Sequence, residues 1–198
     1  MRIPSIFKKI LLIIRQSSRI IVKLVIIDQL VKWYFINYLR GKVGLTLEVT
    51  SFLDMVYIWN YGISFGILQN YYQYSNILFI VVNSALIAYL WYILLKCKTM
   101  PSFVGCSFFI GGAIGNLIDR FVHGAVFDFI YFHYKYFGFP VFNLADSFIS
   151  LGAIFLLHDY YKTKKIVEQQ QDVEYNHARL QTEADRIREL DSKKNINL

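Results

Sequence analysis

Four stretches of mostly apolar residues run through this chain, and each is about twenty residues long, enough to cross a lipid bilayer as a helix. They cover residues 20–39, 76–95, 102–121 and 141–160. The chain is 56% hydrophobic and 18% aromatic, a balance too apolar for the surface of a soluble domain. The sequence therefore predicts an all-α membrane protein with four transmembrane helices.

The positive charges gather on one side of these segments. Eleven basic residues precede or open the first segment, join the second to the third, or follow the fourth, and only four lie at the opposite ends. The eleven are Arg2, Lys8, Lys9, Arg15, Arg19, Lys23, Lys96, Lys98, Lys162, Lys164 and Lys165, and the four are Arg40, Lys42, Arg120 and Lys135. Because basic loops stay in the cytoplasm, we predict that both termini are cytoplasmic and that loops 40–75 and 121–140 lie outside. A membrane surface also explains the net charge of +7 without a nucleic-acid partner.

The composition divides the chain into three parts: a basic N-terminus (1–19), a transmembrane domain (20–161) and a charged tail (162–198). Arg15 and Arg19 interrupt the first apolar patch too early for a signal peptide, so we expect the first segment to be retained. In the tail, apolar residues recur every seven positions at Val173, Leu180 and Ile187, but the second apolar position of a heptad is missing. This pattern favours a solvated helix over a coiled coil.

The two predicted outer loops differ in character. Residues 43–49 alternate between apolar and polar, and a β-branched and aromatic run follows at 56–59, so we predict a small sheet on the outer membrane surface within about 41–75. The loop 121–140 is rich in Phe and Tyr. We predict that it lies in the membrane interface and acts as a flap over a lipid-facing site.

Two aspartates stand at the edges of apolar segments on the predicted outer side. Asp128 ends the phrase Gly-Ala-Val-Phe-Asp, and Asp146 ends Phe-Asn-Leu-Ala-Asp. Either could be a helix N-cap, but Asp146 lies a few residues inside the fourth segment, too deep for a simple cap, and Asp128 has apolar neighbours. Carboxylates are costly at membrane depth, and two that meet would share one proton, which is the chemistry of a water-activating aspartyl pair.

Other polar residues lie at spacings that place them on common helix faces. Asp28 and Lys32 are one turn apart and are predicted to form an ion pair, while Asn116 and Arg120, also one turn apart, are predicted to face an outer cavity. We expect structural pairing for Asp119. The segment 60–66 has the composition of a turn. The four histidines lack metal-ligand spacing, so the sequence predicts neither a metal nor another cofactor.

Five of these motifs, taken in order, resemble those of bacterial lipoprotein signal peptidase, also called signal peptidase II. They are Asp-x-x-x-Lys (28–32), Asn-x-Gly-x-Ser-Phe-Gly (60–66), Gly-Gly-Ala-Ile-Gly-Asn-Leu-Ile-Asp-Arg (111–120), Gly-x-Val-x-Asp-Phe (124–129) and Phe-Asn-Leu-Ala-Asp (142–146). The resemblance covers roughly residues 20–160 and leaves out the first residues and the tail.

The resemblance implies a four-helix fold with a periplasm-facing sheet, in the bacterial cytoplasmic (inner) membrane. It implies an aspartic endopeptidase that cleaves prolipoproteins just before the diacylglyceryl-modified cysteine, with Asp128 and Asp146 as the catalytic pair. It maps supporting and substrate-binding roles onto Asp28, Lys32, Asn60, Gly62, Gly112, Asn116, Arg120, Val126, Asn143 and Ala145. It also implies inhibition by cyclic peptide antibiotics such as globomycin. We expect the chain to be a monomer surrounded by membrane lipids.

Two other functions fit a membrane protein with buried acids. A proton- or ion-coupled transporter could use the same carboxylates as a relay. Against it, the acids gather at one membrane face, and the two halves show no inverted repeat. A binding-only scaffold is a third alternative, but it gives no reason for two carboxylates in one apolar site.

Overall fold

A computed structural model describes residues 5–62 and 72–196 of the chain. In chain order, it contains α1 (Ser5–Arg40), a 3-10 turn (Val43–Leu45), β1 (Thr46–Thr50), β2 (Leu53–Asn60), α2 (Tyr72–Lys96), α3 (Met100–His123), β3 (Val126–Tyr134), β4 (Phe137–Gly138) and α4 (Leu144–Ile196). The fold is thus mostly helical with a small antiparallel sheet.

Each predicted span falls on a helix, but two of the helices are much longer than the span. Helix α1 begins at Ser5, inside the predicted basic N-terminus, and α4 begins only at Leu144 and runs on through the tail. Within the described residues, two helices are long and apolar enough to cross a membrane, Tyr74–Lys96 and Met100–His123. Buried charges such as Asp28 and Lys32 make α1 less apolar than these two.

The sheet takes its strands from both predicted outer loops, in the order β1-β2-β3-β4, with neighbours antiparallel. The prediction of a loop throughout 121–140 is wrong. Gly124, at φ 73°, ends α3 in the left-handed conformation, and the β-branched and aromatic run that follows forms β3. The predicted strand at 43–49 begins later, because 43–45 forms the 3-10 turn.

Two apolar clusters hold the helices and the sheet together. The first joins α1, α2 and α3 through Ile21, Leu90, Leu94, Phe103, Cys106 and Ile110. The second packs β3 against the end of α1, where Phe127 and Phe129 meet Leu39 and all three are almost fully buried. The rings of Phe35 and Phe129 stack there with their centroids 4.7 Å apart. This second cluster fixes the strand that carries Asp128.

The chain forms two compact units, Met1–Leu156 and Leu157–Leu198. The second is the continuing helix of the tail. Val173 and Leu180, two members of its seven-residue pattern, are exposed to 69% and 65%. This agrees with the predicted solvated helix.

Candidate functional site

The two aspartates singled out in the sequence are brought together by one residue, Asn143. Its side-chain amide donates to Asp128 Oδ1 at 2.7 Å, and its backbone N–H donates to Asp146 Oδ2 at 3.1 Å. Asn143 itself is fully buried. The acids come from different elements, since Asp128 is the third residue of β3 and Asp146 is the third residue of α4.

Asp128 is held in a buried position at the junction of β3 with β2. Its side chain accepts a second hydrogen bond, from Asn60 Nδ2 at 2.9 Å, and the residue is 2% exposed. Burial raises the pKa of Asp128 to about 6, and the negative charge of Asp146 acts in the same direction. The donors Asn60 and Asn143 oppose this rise in pKa because they stabilise the anion. The carboxyl can therefore exchange a proton near neutral pH.

Asp146 is not itself the N-cap of α4, but it lies in the first turn of that helix and takes part in the cap. Because α4 begins at Leu144, Asn143 is its N-cap, and Asn143 Oδ1 accepts the backbone N–H of Asp146 at 3.0 Å. Together with the bond from Asn143 N to Asp146 Oδ2, this forms a reciprocal capping box. The other carboxylate oxygen, Oδ1, accepts Asn116 Nδ2 at 2.7 Å. The cap fixes the carboxylate and leaves it linked to the polar network.

A buried ionic cluster lies beside the two acids. Lys32 Nζ lies 2.9 Å from Asp28 Oδ2, as the sequence predicts, and also 2.9 Å from Asp119 Oδ2. Lys32 also donates to Asn116 Oδ1 at 3.0 Å, which connects the cluster to Asp146 through that asparagine. Asp119 thus has the pairing role expected for it.

Small residues let the backbone segments approach each other. A side chain at Gly62, where φ is +84°, would meet the ring of Phe79 at 2.1 Å, and Gly62 N donates to Asn60 Oδ1 at 2.7 Å. A Cβ at Gly112 would lie 2.3 Å from Ala145 O. Val126 and Ala145 are buried next to these contacts, with Val126 paired to Asn60 across the sheet. Residues 63–66 of the predicted turn lie outside the described residues.

Arg120 closes another side of the site. It is 6% exposed, its guanidinium lies 4.3 Å from the centre of the Phe79 ring, and Nη1 donates to Asn76 Oδ1 at 3.5 Å. Its Nε has no hydrogen-bond partner among the residues that the structure describes. Arg120 Nε is thus a buried donor, and the guanidinium is held in place by Phe79 and Asn76.

Three residues of the site were not singled out from the sequence: Gln29, Asn76 and Phe79. Gln29 Nε2 donates to Asp119 Oδ1 at 3.0 Å and to Gly115 O at 3.1 Å. The available signal was a polar side chain inside an apolar segment, which also applies to Asn76. Phe79 gave no signal, because a Phe in a transmembrane segment is ordinary.

Among the described residues, no group of His, Cys, Asp and Glu could hold a metal ion.

Comparisons with known proteins find a matching family, relatives of similar length and a solved structure of similar fold. Residues 20–162 match the family profile described as "Signal peptidase (SPase) II". The lipoprotein signal peptidase of Rickettsia conorii is 57% identical over 186 residues, which cover 94% of this chain and 92% of the relative. That of Rickettsia bellii is 59% identical over 182 residues, with 92% and 93% covered. A solved structure described as a bacterial membrane enzyme has a TM-score of 0.64 and is 32% identical in sequence. The match covers 76% of this chain and 90% of the chain in that structure.

Proposed function

The chain belongs to the signal peptidase II family and is a protease that removes the signal peptides of lipoproteins, and we propose that Asp128 and Asp146 are its catalytic pair. The observation that carries this proposal is the pair of acids joined by the buried side chain of Asn143. The comparisons give no support to the transporter considered above.

In the proposed mechanism, the two carboxyls hold one proton between them. The ionised carboxyl takes a proton from water, whose oxygen attacks the scissile carbonyl carbon, while the protonated partner donates to the carbonyl oxygen. When the tetrahedral intermediate collapses, the C–N bond breaks, the amine nitrogen receives a proton from the pair, and one hydroxyl of the intermediate returns a proton to the pair. Because coupled carboxylates titrate as a pair, both stages are assigned to the pair as a unit.

The surrounding residues have distinct proposed roles. Asn60, Asn116 and Asn143 orient the carboxylates by the bonds described above. Arg120, whose positive charge interacts with Asp128 and Asp146, would stabilise the negative charge that develops on a substrate carbonyl oxygen. Close packing of the segments around the cut bond depends on four small or apolar residues, Gly62, Gly112, Val126 and Ala145. Asp28 and Lys32 support the site as an ion pair, and Asp28 also accepts the backbone N–H of Ala145.

The location and substrate form the second part of the proposal. We place α1, α2, α3 and the first part of α4 across the inner membrane, with both termini cytoplasmic and the sheet on the outer face. The charge distribution supports this arrangement. So do three exposed aromatic residues at the far end of the sheet, Tyr134, Tyr136 and Phe137, which suit a headgroup layer. The bond cut is the one before a diacylglyceryl-modified cysteine, by a monomer that cyclic peptides such as globomycin would inhibit.

The test is cleavage of a purified, diacylglyceryl-modified prolipoprotein by the enzyme in lipid bilayers. We expect the native chain to release the signal peptide, and Asp128→Asn and Asp146→Asn each to lose ~10²–10⁴-fold in turnover, the usual contribution of general acid–base catalysis. Asp54→Asn is the matched control, because Asp54 lies in the same sheet but pairs with His133, away from the catalytic pair. Near-native cleavage by Asp128→Asn would refute the assignment.

A further inference from the structure

The two acids of the ionic cluster share a contact pattern that pairing alone does not require. Asp28 Oδ1 accepts the backbone N–H of Ala145 at 2.9 Å, and Ala145 immediately precedes Asp146. Asp119 Oδ2 accepts the backbone N–H of Phe127 at 3.1 Å, and Phe127 immediately precedes Asp128. Each acid therefore holds the chain one residue before a member of the catalytic pair.

Lys32 connects these two supports into one unit. Its ammonium lies at 2.9 Å from both acids, and its side chain is 2% exposed. Since the cation bonds both acids at once, a shift of one acid would disturb the contact of the other. The two segments are thus linked through one buried atom, Lys32 Nζ, which constrains the distance between them.

Gln29 supports the Asp119 side of the unit. Its amide donates to Asp119 Oδ1, the oxygen that neither Lys32 nor Phe127 uses, and its bond to Gly115 O fixes that amide against α3. The same nitrogen lies 3.2 Å from Asp28 Oδ2. Gln29 therefore holds Asp119 in the orientation in which its other oxygen faces the start of β3.

We infer that Asp28, Lys32 and Asp119 form a positioning clamp that sets the spacing of the catalytic carboxyls, with Asp119 and Gln29 acting on Asp128 through Phe127. The inference rests on the catalytic pair proposed above. A pair that shares a proton and a water tolerates little change in spacing, and a displacement of about 1 Å can cost ~10²-fold in rate. Asp119 and Gln29 are positioning residues, since they act on Asp128 through the backbone.

The test compares kcat and KM of Asp119→Asn, Gln29→Leu and the native enzyme in bilayers, per amount of folded protein. Asp119→Asn removes the charge that Lys32 binds but keeps the side-chain shape, and we expect kcat to fall ~10²-fold with KM nearly unchanged. Gln29→Leu leaves every charge of the clamp in place and is expected to lower kcat about tenfold, again without a change in KM. The Gln29→Leu variant therefore still tests the clamp if Asp119→Asn does not fold.

The control is Asp54→Asn, the same chemical change in the neighbouring strand β2, which should leave kcat as in the native enzyme. Lys32→Met combined with Asp119→Asn should be little worse than the more damaging single change, because parts of one unit do not add. A folded Gln29→Leu with native kcat would overturn the clamp, as would a loss confined to KM or to folded yield. An active Asp128→Asn enzyme would refute the proposed catalytic pair. An inactive Asp128→Asn enzyme together with a native kcat for Gln29→Leu would refute the clamp alone.

Discussion

Asn143 has two roles that substitution can separate. Its side-chain oxygen caps α4 by accepting Asp146 N, and its side-chain amide donates to Asp128 Oδ1. Asn143→Ser keeps an oxygen that can cap the helix, but the shorter side chain no longer reaches Asp128. Asn143→Ala removes both roles. Comparing the two variants therefore separates the effect of the cap from the effect of the contact with Asp128.

The magnitudes follow from the bonds lost. Removing an N-cap costs about 1 kcal/mol, so Asn143→Ala should melt about 2–4 °C below Asn143→Ser in a chain of this size. A hydrogen bond to a charged group contributes about 1.5–3 kcal/mol. If all of that is used in the transition state, both variants should lose ~10- to 150-fold in kcat, to a similar extent.

The pH dependence gives a second measure of the same contact. The Asn143 donor lowers the pKa of Asp128, which burial otherwise raises to about 6. Without the donor, the anion is less stable and the pKa rises further, so the acid limb of the pH–kcat profile should move to higher pH in both variants. Turnover of a diacylglyceryl-modified prolipoprotein across pH, with thermal melting in detergent, measures all of these effects. An Asn143→Ser enzyme with native kcat and an unmoved acid limb would refute the reasoning.

The remaining predictions concern packing, the tail and topology. Gly112→Ala places a methyl group 2.3 Å from Ala145 O and should destabilise the folded protein by about 1–3 kcal/mol, whereas Gly41→Ala, 3.9 Å from Tyr38 O, should melt as the native chain does. Truncation after Lys165 should leave cleavage largely intact, because residues 166–183 are exposed; loss of turnover at normal expression would contradict this. Reporter fusions at Gly41 and Leu198 should report opposite sides of the membrane, and both on one side would exclude the proposed topology.

Local sequence patterns predicted the helices well, because long apolar segments leave few other folds open. They failed where neighbouring elements decide the outcome. The aromatic run after Gly124 looks like an interfacial loop, but β2 offers it a partner edge, so it becomes β3 and buries Phe127 and Phe129. The part that Asp146 plays in the cap could not be predicted for a similar reason, since it depends on α4 beginning at Leu144.

The candidate site was predictable as a set of residue types but not as a network. Asp28 and Lys32 are one turn apart, so their pairing could be read from helical spacing. The bond between Asp28 and Ala145 joins residues 117 positions apart, and no periodicity reports such a contact. Gln29 was overlooked because its partners, Asp119 and Gly115, become neighbours only when α1 packs against α3.

The hydrogen-bond partners of the proposed catalytic pair explain why the two carboxyls can retain a proton. Among the described residues, the side-chain donors to Asp128 and Asp146 are the uncharged amides of Asn60, Asn116 and Asn143. The nearby cation Lys32 is instead bonded to Asp28 and Asp119. A direct ion pair would favour the charged form and lower a carboxyl pKa, whereas an amide satisfies the oxygen without cancelling its charge. The amides therefore orient the pair, while burial keeps the pKa of Asp128 high enough for one proton to be shared.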